Sequence, residues 1–444
     1  MRYLPHTADD IDRMLKVVGR KSLDELFCSI PDNCRYEAEM VLPEPLDEFQ
    51  LVDRMQELAD AMLVNHRHSV LIGAGSYHHN IPATITALVS RSEFLTAYTP
   101  YQAEMAQGTL QSIFEYQTLT ARLLGMDVAN ASMYDGGSAL AEALLMSLRI
   151  GKKKKKVAVS AAIHPHYRQV VKAYFEPTEY EVVELPSGED GRTDFSGLEA
   201  QGELAAVAIQ SPNFYGVVED LTALGQLIHD AGALFVSCFS EPLAYGMLKN
   251  PGECGADIVC GEGQSFSMPR SFGGPGLGMF GCREKFIRNM PGRLVGETVD
   301  LEGKRGFVLT LATREQHIRR EKATSNICSN QGICTVIATM YMASLGGTGL
   351  RKLARLNYDK TQYFKQKLLS AGAKEVFSGP TFNEFVVDLG TGFAKSRQKL
   401  LKENIVAGVD LGRFDTGMSG KYLFCATETV RKEVLDRVVE EVGS

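Results

Sequence analysis

From Val157 onward, short apolar runs alternate with helical stretches, and this pattern limits the fold more than any other feature of the chain. Strands are expected at Val157–Ser160, Tyr180–Leu185, Ala205–Gln210, Leu234–Ser237, Ile258–Cys260 and Leu277–Phe280. Helices fit at 166–175, 194–201 and 220–231. Such alternation argues for an α/β fold with a mostly parallel sheet covered on both faces. Ligands on these sheets bind at the carboxyl ends of the strands. His164, Ser211, Cys238 and Gln264 all fall just after strands in this reading, so a shared crevice is expected.

The last two strands frame the most informative stretch, Asp257-Ile-Val-Cys-Gly-Glu-Gly-Gln264, followed by a glycine-rich loop to Gly281. Enzymes that use pyridoxal phosphate commonly place a lysine in such a turn, where its amine forms a Schiff base with the cofactor. Here Gly263, Gln264 and Ser265 occupy the turn, and no lysine lies between Asp257 and Gly281. A glutamine amide is not nucleophilic enough to form an imine. An aspartate that would pair with the pyridine nitrogen is also missing from Val236-Ser-Cys-Phe-Ser-Glu241. Cys238 stands near that place, and Glu241 is a weak substitute.

Other stretches read as follows. Residues 1–65 look like a helical arm, with capping-box spacing at Thr7–Asp10 and Ser22–Glu25. Leu51, Val52, Met55, Leu58, Ala59, Met62 and Leu63 recur at helical spacing. Gly73-Ala-Gly75 lacks the third glycine of a dinucleotide fingerprint and reads as a turn. Tyr98 and Tyr101 flank Thr99-Pro100 and suit a ligand pocket or a subunit interface as well as plain packing. Asp135-Gly-Gly-Ser138 opens a helix over Ala139–Ile150, where free N–H groups can hold an anion or simply be capped. Lys152–Lys156 reads as a solvated loop. Arg314–Gln331 is dense in hydrogen-bonding groups, including Thr324, Ser325 and Asn326. Two helices, at about 331–345 and 349–371, then lead into a smaller α+β domain. The expected division is therefore 1–65, 66–330 and 331–444.

Composition excludes several classes. A net charge of −7 gives no basis for nucleic-acid binding. Nine scattered cysteines without a Cys-x-x-Cys pair argue for buried thiols rather than disulfides or zinc, and no metal site is expected. No apolar run approaches the roughly 20 residues of a membrane span. The cytoplasm is the expected location.

Taken together, the motifs resemble one family over essentially the whole chain, the glycine decarboxylase or P-protein of the glycine cleavage system. The matching stretches are Tyr98–Gln102, Ala129–Gly137, Gly261–Ser265, Ser271–Pro275, Arg314–Arg320 and Lys322–Cys328. The likeness is specifically to the N-terminal subunit of the split form. It implies the fold-type I architecture of pyridoxal-phosphate enzymes and an α2β2 tetramer with a second, cofactor-bearing subunit. The family's lysine motif is His-Lys-Thr-Phe, where this chain has Gly263-Gln264-Ser265-Phe266. The resemblance thus implies no catalytic residue and no cofactor of this chain's own. The complex would bind glycine through pyridoxal phosphate on the partner and release CO2. It would then pass the aminomethyl group to the lipoyl arm of the H-protein. Tyr98, Tyr101, Thr324, Ser325 and Asn326 are the residues expected to reach across the interface.

Two other readings compete. One is an autonomous pyridoxal-phosphate decarboxylase or aminotransferase using another lysine, such as Lys249 or Lys322. The other is a non-catalytic scaffold or regulator.

Overall fold

The computed structural model describes residues 5–35, 41–62, 67–95 and 99–444. Leu63 and Tyr98 lie outside the described residues. The chain forms two compact units, Met1–Asn65 and His66–Ser444.

In the first unit, Ala8–Val17 is a helix closed by a reciprocal Thr7–Asp10 capping box. The second predicted helix start instead produces a short 3-10 turn, Asp24–Phe27. A helix over Glu48–Asp60 buries none of its residues, so Phe49, Leu51, Val52 and Met55 are exposed.

In the second unit, β1 (Ser69–Leu71) comes first, followed by the strands of the main sheet. These are β2 (Val128–Ala129), β3 (Lys156–Ser160), β4 (Glu181–Leu185), β5 (Ala206–Gln210), β6 (Leu234–Phe239), β7 (Ile258–Glu262) and β8 (Gly278–Cys282). Their spatial order is β2-β8-β7-β6-β5-β3-β4. The pairs among β3 to β7 are parallel, and β8 runs antiparallel to both β7 and β2. Strands β5 and β7 are buried along their whole length, as a sheet covered on both faces requires. One core cluster includes Val207, Phe235 and Val259, and the other includes Leu140, Val157 and Val236.

The sequence places these strands to within two residues at most ends. It errs over 194–201, where the structure has only a 3-10 turn at Glu199–Gln201. There Asp194 accepts a bond from the Ser196 N–H, a local turn that competes with helix, and Gly197 follows. A hairpin of β9 (Leu294–Val299) and β10 (Arg305–Thr310) was not anticipated. After Tyr101 the chain enters a helix over Gln107–Leu124. The lysine run is not wholly solvated, because Lys154 donates to the carbonyls of Leu204 (3.0 Å) and Gly232 (2.7 Å).

Beyond Gln331, a helical stretch runs over Gly332–Ser370 and is interrupted at Gly346, whose φ of 59° and ψ of 179° are not helical. By length and composition alone this stretch could cross a membrane. However, Cys334, Ala338, Tyr341 and Met342 pack into the main core, and Phe364 and Leu368 into the small one. The C-terminal part of this unit contains β11 (Lys374–Glu375), β12 (Glu384–Asp388), β13 (Ile405–Ala407), β14 (Val409–Asp410) and β15 (Lys421–Cys425). Its sheet order is β11-β12-β15-β14, while β13 pairs in parallel with β1.

Candidate functional site

The parallel strands aim their carboxyl ends at one region, and the segment Gly73–His79 fills it. Tyr77 is almost fully buried there. Gln264 grips the Tyr77 backbone in both directions. Its Oε1 accepts the Tyr77 N–H at 3.0 Å, and its Nε2 donates to the Tyr77 carbonyl at 3.1 Å and the Met268 carbonyl at 2.6 Å. The Tyr77 hydroxyl donates to Glu384 Oε2 at 2.7 Å and lies 3.0 Å from Ser240 Oγ. His164 Nε2 is 2.8 Å from the Ala74 carbonyl, and the His164 N–H donates to Gln210 at the end of β5. Gln264 and His164 therefore both hold the Gly73–His79 segment. Ser211 joins the periphery by accepting the Glu219 N–H through its hydroxyl. Cys238 departs from expectation, since it lies inside β6 and is fully buried. Burial pushes its thiol well above the ordinary range.

A second buried cluster adjoins this one. His79 lies between two carboxylates, with Nε2 2.9 Å from Glu241 and Nδ1 2.9 Å from Glu428. Asn383 also donates to Glu241, at 3.1 Å. Glu241 is thus committed to His79 and Asn383 and does not substitute for a pyridine-pairing aspartate. Burial works against charge on His79, but the two carboxylates outweigh it and hold the imidazole at about 10. Burial likewise opposes charge on Glu428, yet His79 holds it at about 2. Burial raises Glu384 to about 7 despite bonds from the Ala74 N–H and the Tyr77 hydroxyl.

These directions fix a pH dependence. Glu384 and His79 hold their protons more tightly when folded than when unfolded. Their contribution to stability therefore falls as pH rises, from 4.5 to about 7 for Glu384 and from 6.5 to about 10 for His79. Glu428 contributes in the opposite sense, losing its stabilisation as pH falls from 4.5 to about 2. The wild-type denaturation midpoint is expected to fall between pH 6.5 and 9.5 more steeply than that of His79→Gln. Parallel profiles would show that His79 does not carry the effect.

The remaining candidates form a separate cluster organised by Arg293, which is only 4% exposed. Its guanidinium donates to the Tyr101 hydroxyl at 2.6 Å, the Cys328 carbonyl at 2.7 Å and Ser329 Oγ at 3.1 Å. It also lies 3.5 Å from Glu315. Arg314 donates to the Met290 and Gly292 carbonyls, and its own carbonyl accepts the Thr324 N–H at 3.0 Å. Ser325 and the Asn326 backbone face the buried Glu142, whose pKa burial raises. Tyr101 and Thr324–Asn326 therefore belong to one surface built on Arg293 and Arg314. Tyr101 is 58% exposed, and Asn326 is exposed as well. The hydrogen bonds of Gln264 do not reach this surface. Arg293 was not singled out in the sequence, because an isolated arginine between two strands carries no local signal.

The closed crevice does not fit pyridoxal phosphate. Gln264 offers an amide where an amine is required, and Cys238 offers a neutral thiol near the expected aspartate. At the helix Gly136–Gly151, the N–H groups of Gly136 and Ser138 are already taken. Asp135 caps Ser138 at 2.8 Å, and Glu262 Oε2 accepts the Gly136 N–H at 3.0 Å. Lys249 and Lys322, the alternative nucleophiles, are exposed rather than in the crevice.

A seven-stranded, mostly parallel sheet with helical cover and a small C-terminal sheet defines the fold-type I class of pyridoxal-phosphate enzymes. A cysteine desulfurase from Thermococcus onnurineus shares this fold at 14% identity, with a TM-score of 0.62 over 87% of this chain and 97% of that one. A family model described as glycine cleavage system P-protein matches residues 1–442, and the chain belongs to that family. It is 63% identical to the probable glycine dehydrogenase (decarboxylating) subunit 1 of Desulfotalea psychrophila, over 100% of this chain and 98% of that protein. A crystal structure of glycine decarboxylase (P-protein) in inhibitor-bound form matches with a TM-score of 0.88 and 41% identity, covering 100% of this chain and 99% of that one.

Proposed function

We propose that this chain is the subunit of a cytoplasmic glycine decarboxylase that does not bind pyridoxal phosphate. A second, lysine-bearing P-protein subunit holds the cofactor, and the two assemble as an α2β2 tetramer. The complex takes glycine, releases CO2 and passes the aminomethyl group to the lipoyl arm of the H-protein. The observation that carries this reading is the double grip of Gln264 on Tyr77, which spends the Schiff-base position on a structural bond. The name "subunit 1" borne by relatives supports a partner. The exposed apolar residues of Glu48–Asp60 suit burial in an assembly.

In this reading the chain contributes shape and hydrogen bonds. Tyr101 forms a wall, and Thr324, Ser325 and Asn326 offer donors and acceptors to the partner's site. Tyr98 belongs to the same proposed set by its sequence position. The cofactor supplies an electron sink for the decarboxylation and is held by the partner.

The test is to purify the chain alone and with the lysine-bearing subunit. Alone, it is expected to show no borohydride-sensitive cofactor absorbance and no release of labelled CO2 from glycine. Mixed, the two are expected to elute together and exchange CO2. Activity of the isolated chain would overturn the proposal. Tyr101→Phe or Asn326→Ala complexes are expected to lose glycine affinity or turnover, and unchanged kinetics would remove that residue from the shared site.

A further inference from the structure

The missing lysine explains why no covalent link forms, but by itself it would leave an anion seat at the start of the helix Gly136–Gly151. Glu262 occupies that seat. It is the last residue of β7, and its carboxylate gathers backbone donors from three segments. Oε1 accepts the N–H groups of Leu277 at 2.7 Å and Gln264 at 3.0 Å, and Oε2 accepts that of Gly136 at 3.0 Å. The fit is close on every side. A Cβ added to Gly276 would lie 3.0 Å from Glu262 Oε2, and one added to Gly136 would lie 2.4 Å from the Tyr167 hydroxyl. Both glycines are needed so that the backbone can approach. Helix starts of this kind bind anions because their first N–H groups lack partners within the helix.

We propose that Glu262 is a built-in occupant of the phosphate seat. Its side chain takes the N–H groups that a phosphate monoester would take, so this chain excludes such ligands even as non-covalent guests. The proposal rests on the reading that the chain carries no cofactor, and extends it from the absence of a nucleophile to a closed anion site. Its consequence is specific: removing the carboxylate leaves buried donors that a small oxyanion can satisfy.

The experiment measures thermal midpoints of the full chain in chloride, acetate and inorganic phosphate at matched ionic strength. Wild type is expected to show the same midpoint in all three. Glu262→Ala is expected to lose about 5 °C or more in chloride and to regain a measurable part in acetate or phosphate. A wild-type chain stabilised by phosphate, or an alanine variant as stable as wild type, would overturn the proposal. So would an alanine variant whose loss no anion repairs. If Glu262→Ala does not fold, Glu262→Gln decides. It keeps one acceptor but turns an NH2 group toward the Gly136 N–H, so its midpoint must fall, and an unchanged midpoint overturns the proposal. Cofactor uptake through Lys249 or Lys322 would be seen separately, as borohydride-sensitive absorbance. It would defeat the functional reading without altering the result at Glu262.

Discussion

Replacing His79 by alanine is expected to cost about 3–5 kcal/mol of stability in the unit His66–Ser444. The imidazole is 3% exposed and lies between Glu241 and Glu428 as their shared cation. Without it, the two buried carboxylates keep amide donors, from Asn383 and the Leu243 backbone to Glu241 and from Asn357 and the Asn80 backbone to Glu428, while the Lys360 ammonium is bonded to the Glu428 carbonyl rather than its carboxylate. An uncompensated buried charge costs far more than the net worth of the pair that was broken. The effect spans both sheets, because Glu241 follows β6 whereas Glu428 follows β15. Urea denaturation of His79→Ala beside wild type measures it. His79→Gln should fall between the two, since an amide can donate to one carboxylate. A loss below about 1 kcal/mol for the alanine variant would mean that the cluster relaxes or takes up protons freely.

Arg293→Ala should produce the second large effect, a loss of about 3 kcal/mol concentrated in the segment 314–331. The guanidinium joins three stretches distant in sequence, at Tyr101, Glu315 and Cys328–Ser329. Truncation removes the guanidinium from Glu315, leaving His317 at 3.7 Å, and releases the Tyr101 ring, over which the guanidinium sits at 5.0 Å. Lysine cannot replace it, because a single ammonium does not reproduce the planar fork. Hydrogen exchange should accelerate across 314–331 while the turn at Gln264 keeps its protection. Unaltered exchange in that segment would show that Arg314 holds it alone. If Thr324–Asn326 serve the partner's site, the variant complex should also lose glycine turnover.

The sheet was legible because its strands are short apolar runs separated by helical spacing, and tertiary packing reinforces that local preference. The hairpin β9–β10 was not, since Gly296, Glu297 and Arg305 blur its alternation. The turn at Gln264 was legible as a chemical anomaly, because a nucleophile's absence is a local fact. Its structural role was not, because Tyr77 lies 187 residues away. The same holds for Glu262, whose contact with Gly136 spans 126 residues, and for His79, whose partners are 162 and 349 residues distant. A carboxylate ending a run as apolar as Ile258–Cys260 was the one available hint that Glu262 is buried. The reading of Cys238 as a residue after a strand failed because β6 continues through it to Phe239.

Gly346 has nothing within 4 Å of where a side chain would begin, so no neighbour excludes one, and only its torsion angles require glycine. The helical stretch it divides starts directly after the segment that Arg293 and Arg314 anchor and ends in the C-terminal core. Gly346 therefore sets the angle at which the two halves of the stretch meet, one half packed in the main core and the other in the C-terminal one. A side chain at this position would meet no neighbour but would have to take up a left-handed φ, so the cost of Gly346→Ala falls on the backbone at this junction alone.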